Sequence, residues 1–502
     1  MTGRAHITSP EHREIGIDDE AIREAPSDPG RFGMIRRALV SDRTAHDLPE
    51  TWIHQGKSIE KLRGYNKRSK RALNTEIRVR IMSREISRRE IIGGTLAATT
   101  LGASAGGLRA ALAEQSGPIK IGILQTLSGA LAEIGRQHLL GAQIAVNELN
   151  ESGGVGGRQL ELVVRDDQFK TDVGVAAAYE LAGMGVNMLL GEAISTILFA
   201  TEPLFPQLKM VSISPSVSVI DATHGKFNRN FFRCAGNAHM QYFGQSIVMP
   251  KQAAPSAKRW GALVSDYVGA RQVWDFISAG LKKYYPQYAK HDIELAEPVL
   301  VKVGTTDFHQ AIARLLSQNL DALHVAATGS DGITFYKQAE QYGLFQKLKV
   351  ISDTSLAVQV GPALKSKTPP HLWGACLWYY DGYKQLPMAQ RFYKNAIAKS
   401  NSSIIDPFCA QAHTGIMSFA AAIRSAKSTD TEAIISALET VTFDSVFGPL
   451  KYRQEDHQLL VDQGYLHLEP QPADPGYRVA GFVTISWQDV TEPAAPGVDY
   501  KL

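Results

Sequence analysis

Cysteine is scarce in this chain: of 502 residues only Cys234, Cys376 and Cys409 carry a thiol. No two of them stand at a metal-binding spacing, which excludes a zinc module and leaves one disulfide or buried free thiols as the alternatives. The 14 histidines form no HxH or HxxxH cluster, so neither a metal centre nor a cofactor is expected. An excess of charge of one sign is also missing. The 53 basic residues against 50 acidic ones leave a net charge of +3, which gives no grounds for a nucleic-acid partner. No nucleophile elbow occurs, and Asp456-His457 is an acid–histidine pair without a nucleophile, so an enzyme is not expected.

What is present is an ordinary globular composition, 44% hydrophobic and 21% charged, in a chain long enough for two or three domains. The informative stretch runs from Ile119 to Asp167. The short apolar run Ile119–Leu124 has the length of a buried strand, and Gln125–Gly129 follows as a loop. Leu140 with Ile144, and Ala145 with Leu149, then recur four apart as one face of a helix. Asn150–Gly157 ends that helix with turn glycines, and Gln159–Arg165 alternates as a second strand. The glycines of Gly153–Gly157 follow a helix, whereas a dinucleotide fingerprint follows a strand, so they read as a turn. Strand, helix and strand in this order form a βαβ unit and predict a parallel sheet flanked by helices.

The alternation continues. Strands are expected over 186–190, 210–213, 260–264, 299–303, 322–326, 349–351 and 373–376, and helices over 173–184, 271–284, 308–318 (capped by Asp307), 332–342, 408–426 and 431–439. Residues 1–81 differ: they are crowded with charged residues and lack periodicity, and read as a disordered segment or an upstream extension preceding the true start at Met82. From Met82 the chain has an export-signal pattern. Ser87-Arg88-Arg89-Glu90-Ile91-Ile92 resembles the twin-arginine consensus, a Gly- and Ala-rich apolar stretch follows, and Ala111-Leu112-Ala113 supplies a cleavage site. Residues 82–113 are therefore expected to be a Tat-type signal peptide, and too weakly apolar for a membrane anchor.

The loop "LSG", the helix "GAQIAVNELNESGG" and the strand "GRQLELVVRDD" resemble the start of type I periplasmic solute-binding proteins, most closely the leucine/isoleucine/valine-binding group that feeds ABC importers. The resemblance implies an α/β fold of two lobes, each a mostly parallel sheet flanked by helices, joined by three hinge crossings. It implies lobe 1 over 114–238 and 376–442, and lobe 2 over 239–375 and 443–502, with the third crossing near 443–450. A small polar solute, an amino acid of branched-chain type or a related carboxylate or amide, would bind between the lobes by hinge closure. ABC permease subunits in the membrane would be the partner, and the protein itself would stay in the periplasm without inserting. A ligand sensor of the same fold is the alternative.

The resemblance also implies the pocket. Ser195, with Thr196 beside it, falls where the family holds a ligand carboxylate. Ser216 and Ser218 match a second ligand-holding loop. Tyr267 stands close to a family tyrosine, and Thr328 replaces another. Asp353 and Thr354 fall near the family's acidic partner for a ligand ammonium, with Thr354 at the aligned position and Asp353 one residue away. Trp378-Tyr379-Tyr380 is read as packing and not as a stacking platform for ligand.

Overall fold

The computed structural model describes residues 117–129, 131–327, 329–354, 357–400 and 404–502. The segments 1–81 and 82–113, with their expected extension and export signal, lie outside the described residues, as does Thr328.

The first sheet contains β1 (Ile119–Gln125), β2 (Leu160–Asp166), β3 (Met188–Gly191), β4 (Val211–Ser214) and β5 (Phe231–Arg233), in the spatial order β2-β1-β3-β4-β5. Every pairing in it is parallel. Because a parallel sheet is covered on both faces, its strands must bury both sets of side chains. Ile121 and Ile123 of β1 belong to one core and Leu124 to another. The first core is closed by α1 (Ala132–Glu151), α10 (Pro407–Ala426) and α11 (Thr431–Leu438), and the second by α2 (Thr171–Gly183). Two glycines allow the tight fit of α1. A Cβ on Gly141 would meet the Cys409 carbonyl oxygen of α10 at 2.0 Å, and one on Gly135 would meet the Thr126 carbonyl oxygen at 2.1 Å. A short helix, α3 (Ser195–Thr201), follows β3.

The second sheet contains β6 (Arg259–Ser265), β7 (Glu294–Leu295), β8 (Val299–Val301), β9 (Ala322–Ala326), β10 (Val350–Asp353) and β11 (Leu372–Ala375), together with β14 (Gln463–Pro470) and β15 (Tyr477–Ile485). Its order is β15-β14-β11-β10-β9-β6-β7, with β8 also beside β6. The pairings from β7 to β11 are parallel, whereas β14 runs antiparallel to both β11 and β15. α4 (Ala238–Val248) and α5 (Val268–Tyr284) cover one face, through Phe243, Ile247, Phe276 and Ile277. On the other face lie α6 (His309–Ser317), α7 (Gly329–Gln341) and α8 (Ala357–Leu364). The helix α6 begins one residue later than expected, with Phe308 at its N-cap, and Asp307 stands just before it, its carboxylate accepting the His309 N–H at 3.0 Å.

Three segments connect the lobes. The first runs from β5 to α4 and the second follows β11, as expected. The third lies later than the resemblance implied. β12 (Phe443–Ser445) and β13 (Gly448–Leu450) pair only with each other, and Phe443, Leu450, Tyr452, Leu459 and Val461 are buried in the core shared by α1 and α10. The chain joins the second sheet at Gln463, so residues 443–461 pack with the first lobe. Their apolar side chains complete that core, which is the physical reason for the shift.

Trp378 is buried packing, as read from the sequence. Its indole donates to the Val446 carbonyl at 3.0 Å and stands edge-on to Phe392 of α9 (Pro387–Ser400). All three cysteines are buried and free. Among the described residues, no helix is long and apolar enough to cross a membrane.

Candidate functional site

In open parallel sheets a ligand crevice forms where strands end and loops turn into helices. Here the carboxyl ends of β3, β4, β6 and β10 meet at one cleft, part of it open to solvent. The β3 loop contributes Ala193, Ile194 and Ser195, and the β4 loop Ser216 to Val219. From the second lobe come Tyr267, Gly269, Val273, Gln241, Tyr242 and Thr354. Ile134 of α1 and Phe408 and Gln411 of α10 complete the wall.

The two loops of the first lobe are braced from below by Glu192. This side chain is fully buried at the end of β3, with its backbone at a φ of 34°. Its carboxyl accepts from Thr201 Oγ1 at 3.0 Å and from Ser212 Oγ at 3.1 Å, and its carbonyl accepts from Ser214 Oγ at 2.9 Å. Burial raises its pKa to about 8, and Glu202 and Asp167 nearby push in the same direction. Ser216 Oγ donates to the Ala193 carbonyl at 3.3 Å, tying the second loop to the first.

On the opposite wall, the hydroxyl of Tyr242 pairs with Ser218, and burial pushes its pKa well up, so it stays a neutral phenol. Thr354 Oγ1 donates to the Val325 carbonyl at 3.0 Å, which keeps its lone pairs available. Gly269 allows α5 to start close to its neighbours: a Cβ there would lie 2.8 Å from the Tyr267 ring and 3.6 Å from Ser195 Oγ. The lobes also touch where Gln359 of α8 donates to the Asp406 carboxylate at 2.8 Å. Asp406 caps α10 through the Phe408 N–H at 3.0 Å.

Of the residues implied by the sequence, Ser195, Ser216, Ser218, Tyr267 and Thr354 line this one cleft. Thr196 is half-buried on α3 and does not line it. Asp353 departs from expectation. It is fully buried, its carboxylate accepts from Tyr336 Oη of α7 at 2.7 Å, its carbonyl accepts from Gln245 at 2.8 Å, and it does not line the cleft. The His457 and Asp456 side chains serve packing: His457 stacks on Phe232 at 3.8 Å, and Asp456 is paired with Arg453.

The sequence reading missed Tyr242, Phe408 and Gln411. Gln411 is 3% exposed, and its Oε1 has no hydrogen-bond partner although it lines the cleft. A signal for it existed in the Asp406-Pro407 start of a helix whose first two turns are apolar except at Gln411 and His413. None of the described lining residues is Asp, Glu, Lys or Arg.

Residues 118–466 match the family model described as "Periplasmic binding protein". The leucine-, isoleucine-, valine-, threonine- and alanine-binding protein of Pseudomonas aeruginosa is 23% identical over 341 residues, covering 67% of this chain and 86% of that protein. An ABC-type branched-chain amino acid transporter protein from Rhodopseudomonas palustris superposes with a TM-score of 0.58 at 24% identity, covering 75% of this chain and 99% of that one. A solute-binding protein of an ABC transporter from R. palustris, in complex with benzoate, gives 0.62 at 16% identity, with 76% and 99% covered. With two α/β lobes, three crossings and a cleft between them, the chain belongs to the periplasmic binding protein family.

Proposed function

We propose that the solute is a small carboxylate with an apolar or aromatic body and no ammonium group. The observation that carries this reading is the absence of charged side chains among the described residues lining the cleft. A buried ammonium without a carboxylate partner costs several kcal/mol, and Asp353, the sequence candidate for that role, is engaged with Tyr336. A carboxylate needs no counter-cation where hydroxyls and backbone N–H groups converge on it. Ser195 and Ser218 supply the hydroxyls, while Ile134, Ile194, Val217, Val273 and Phe408 supply apolar walls. Gln411 of α10 offers its Oε1, an acceptor, to a hydroxyl or amide N–H on the solute's body and not to the carboxylate. The benzoate carried by the R. palustris protein is a solute of this chemistry.

The mechanism is closure. Solute touching both walls stabilises the closed arrangement, and the permease reads that state. The Arg88-Arg89 pattern supports export by the Tat route, with the mature protein working in the periplasm.

A thermal-melt panel is the direct experiment. At about a hundred times its dissociation constant a solute adds roughly 2.7 kcal/mol of stability. Benzoate and related carboxylates should raise the melting temperature, and leucine, isoleucine and valine should not. A shift with the amino acids alone would overturn the assignment of solute class.

A further inference from the structure

The first-lobe cleft residues leave one cluster of histidines and carboxylate unused. His467 and Glu469 are two apart on β14, so their side chains leave the same face of the strand. β14 pairs antiparallel with β11 in the register Trp373↔His467 and Leu372↔Leu468, which brings His371, just before β11, opposite Glu469. His371 Nδ1 lies 2.9 Å and His467 Nε2 2.8 Å from the same oxygen, Glu469 Oε1. One donor atom from each of the three residues falls within 4.8 Å of the others. This place is at the amino end of β11, the opposite end from the cleft.

We propose that His371, His467 and Glu469 form a binding site for one first-row divalent cation of borderline softness, such as Zn²⁺. Two imidazoles and a carboxylate are a ligand set of that class, and hard cations such as Mg²⁺ prefer all-oxygen sites. At a Zn–N distance of about 2.0–2.1 Å, tetrahedral ligand atoms are ~3.3 Å apart, so the observed separations need only a small outward adjustment.

Two features preset the ligands. The His467 ring lies flat on Trp373, with ring centroids 4.6 Å apart and an interplanar angle of 7°. His371 has a backbone φ of 55°, a conformation that non-glycine residues adopt at a cost, and its N–H donates to Glu469 Oε2 at 3.3 Å. The fourth position opens to solvent, since the His371 side chain is 54% exposed. One group opposes the ion: Arg478 of β15 is opposite Glu469 in register. Sequence spacing gave no metal pattern because the third ligand arrives by strand pairing.

Calorimetric titration of the full chain, free of any histidine tag, with ZnCl₂ decides the matter, with MgCl₂ as control. The expected result is saturable binding of one Zn²⁺ per chain, weakened roughly tenfold or more by His371→Ala and by Glu469→Gln, and tightened by Arg478→Ala. His371→Ala removes an exposed side chain, and an unchanged circular-dichroism spectrum checks its fold. Absence of saturable Zn²⁺ binding, or Zn²⁺ binding that both substitutions leave unchanged, would overturn the site. Neither result bears on the solute cleft.

Discussion

At the residue scale, Gln411, which the sequence did not single out, lines the cleft, and Asp353, which it did, does not. Asp353 sits one position from Thr354, and on a strand one position turns a side chain to the other face. Its carboxylate therefore meets Tyr336 while Thr354 meets the cleft. Asp353→Asn keeps an acceptor for Tyr336 Oη, so solute affinity should stay within about twofold while stability falls by roughly 1 kcal/mol. An affinity loss near a hundredfold would instead mark Asp353 as a ligand group. Gln411→Ala should do the reverse, weakening solute binding by about 2- to 13-fold, the worth of one buried hydrogen bond. Isothermal titration with the best solute of the melt panel measures both.

The cleft serines and Tyr267 were legible through the resemblance to the solute-binding family, whose ligand loops stand at the carboxyl ends of the strands. Gln411 and Tyr242 were not, because they reach the cleft from the sides of helices, and only the packing of α4 and α10 decides which side faces in. Asp353 was misjudged for a related reason: spacing to within one residue is not enough on a strand.

At the element scale, most strands and helices lie within a few residues of their predicted spans, because both faces of each parallel strand are buried and leave continuous apolar runs. The antiparallel pair β14 and β15 escaped, both being mixed in composition and β15 fully buried only at Tyr477. The late third crossing escaped with it, because the β12–β13 hairpin is apolar enough to belong to either lobe until its packing partner is known.

The loop after β3 depends on a protonated acid. Glu192 has its pKa raised from 4.5 to about 8, chiefly by burial. The folded state therefore holds a proton between those values that the unfolded chain has released. That contribution to stability is complete at low pH and is lost as pH rises through about 8. The buried His138 and His324, both lowered to about 3, act oppositely and cost stability below pH ~6.5 as the unfolded chain takes up protons. Melting temperature should thus decline from near-neutral pH toward pH 8, and Glu192→Gln, which mimics the protonated acid, should lessen that decline, the rest coming from Glu202, likewise raised to about 8 by burial. Melts of both proteins across this range check it.

At the scale of the whole molecule, the two lobes are held by their crossings on one side and by few polar ties on the other. At the crossings, the Arg233 guanidinium is fully buried and donates to Gln458 at 2.9 Å and to Thr223 at 3.3 Å, while burial holds its pKa down at about 10. The C-terminal segment returns to the same region, with Asn237 donating to Glu492 at 2.6 Å and the Gly497 N–H to the His224 carbonyl at 2.8 Å. Across the mouth, the bond from Gln359 to Asp406 exists only while the lobes are together. Gln359→Ala should shift the population toward the open form and weaken solute binding by about 2- to 10-fold. The melting temperature without solute should change little. An affinity equal to that of the unaltered protein would show that this bond does not contribute to closure.

A cleft wall with no charged side chain among its described residues has one more consequence. Capture of a solute there does not depend on long-range attraction by fixed charges lining the site, so dissolved salt has little in the wall to screen. The rate at which solute is caught is then set by diffusion and by how often the lobes stand apart. A carrier of this kind works alike in dilute and in saline surroundings.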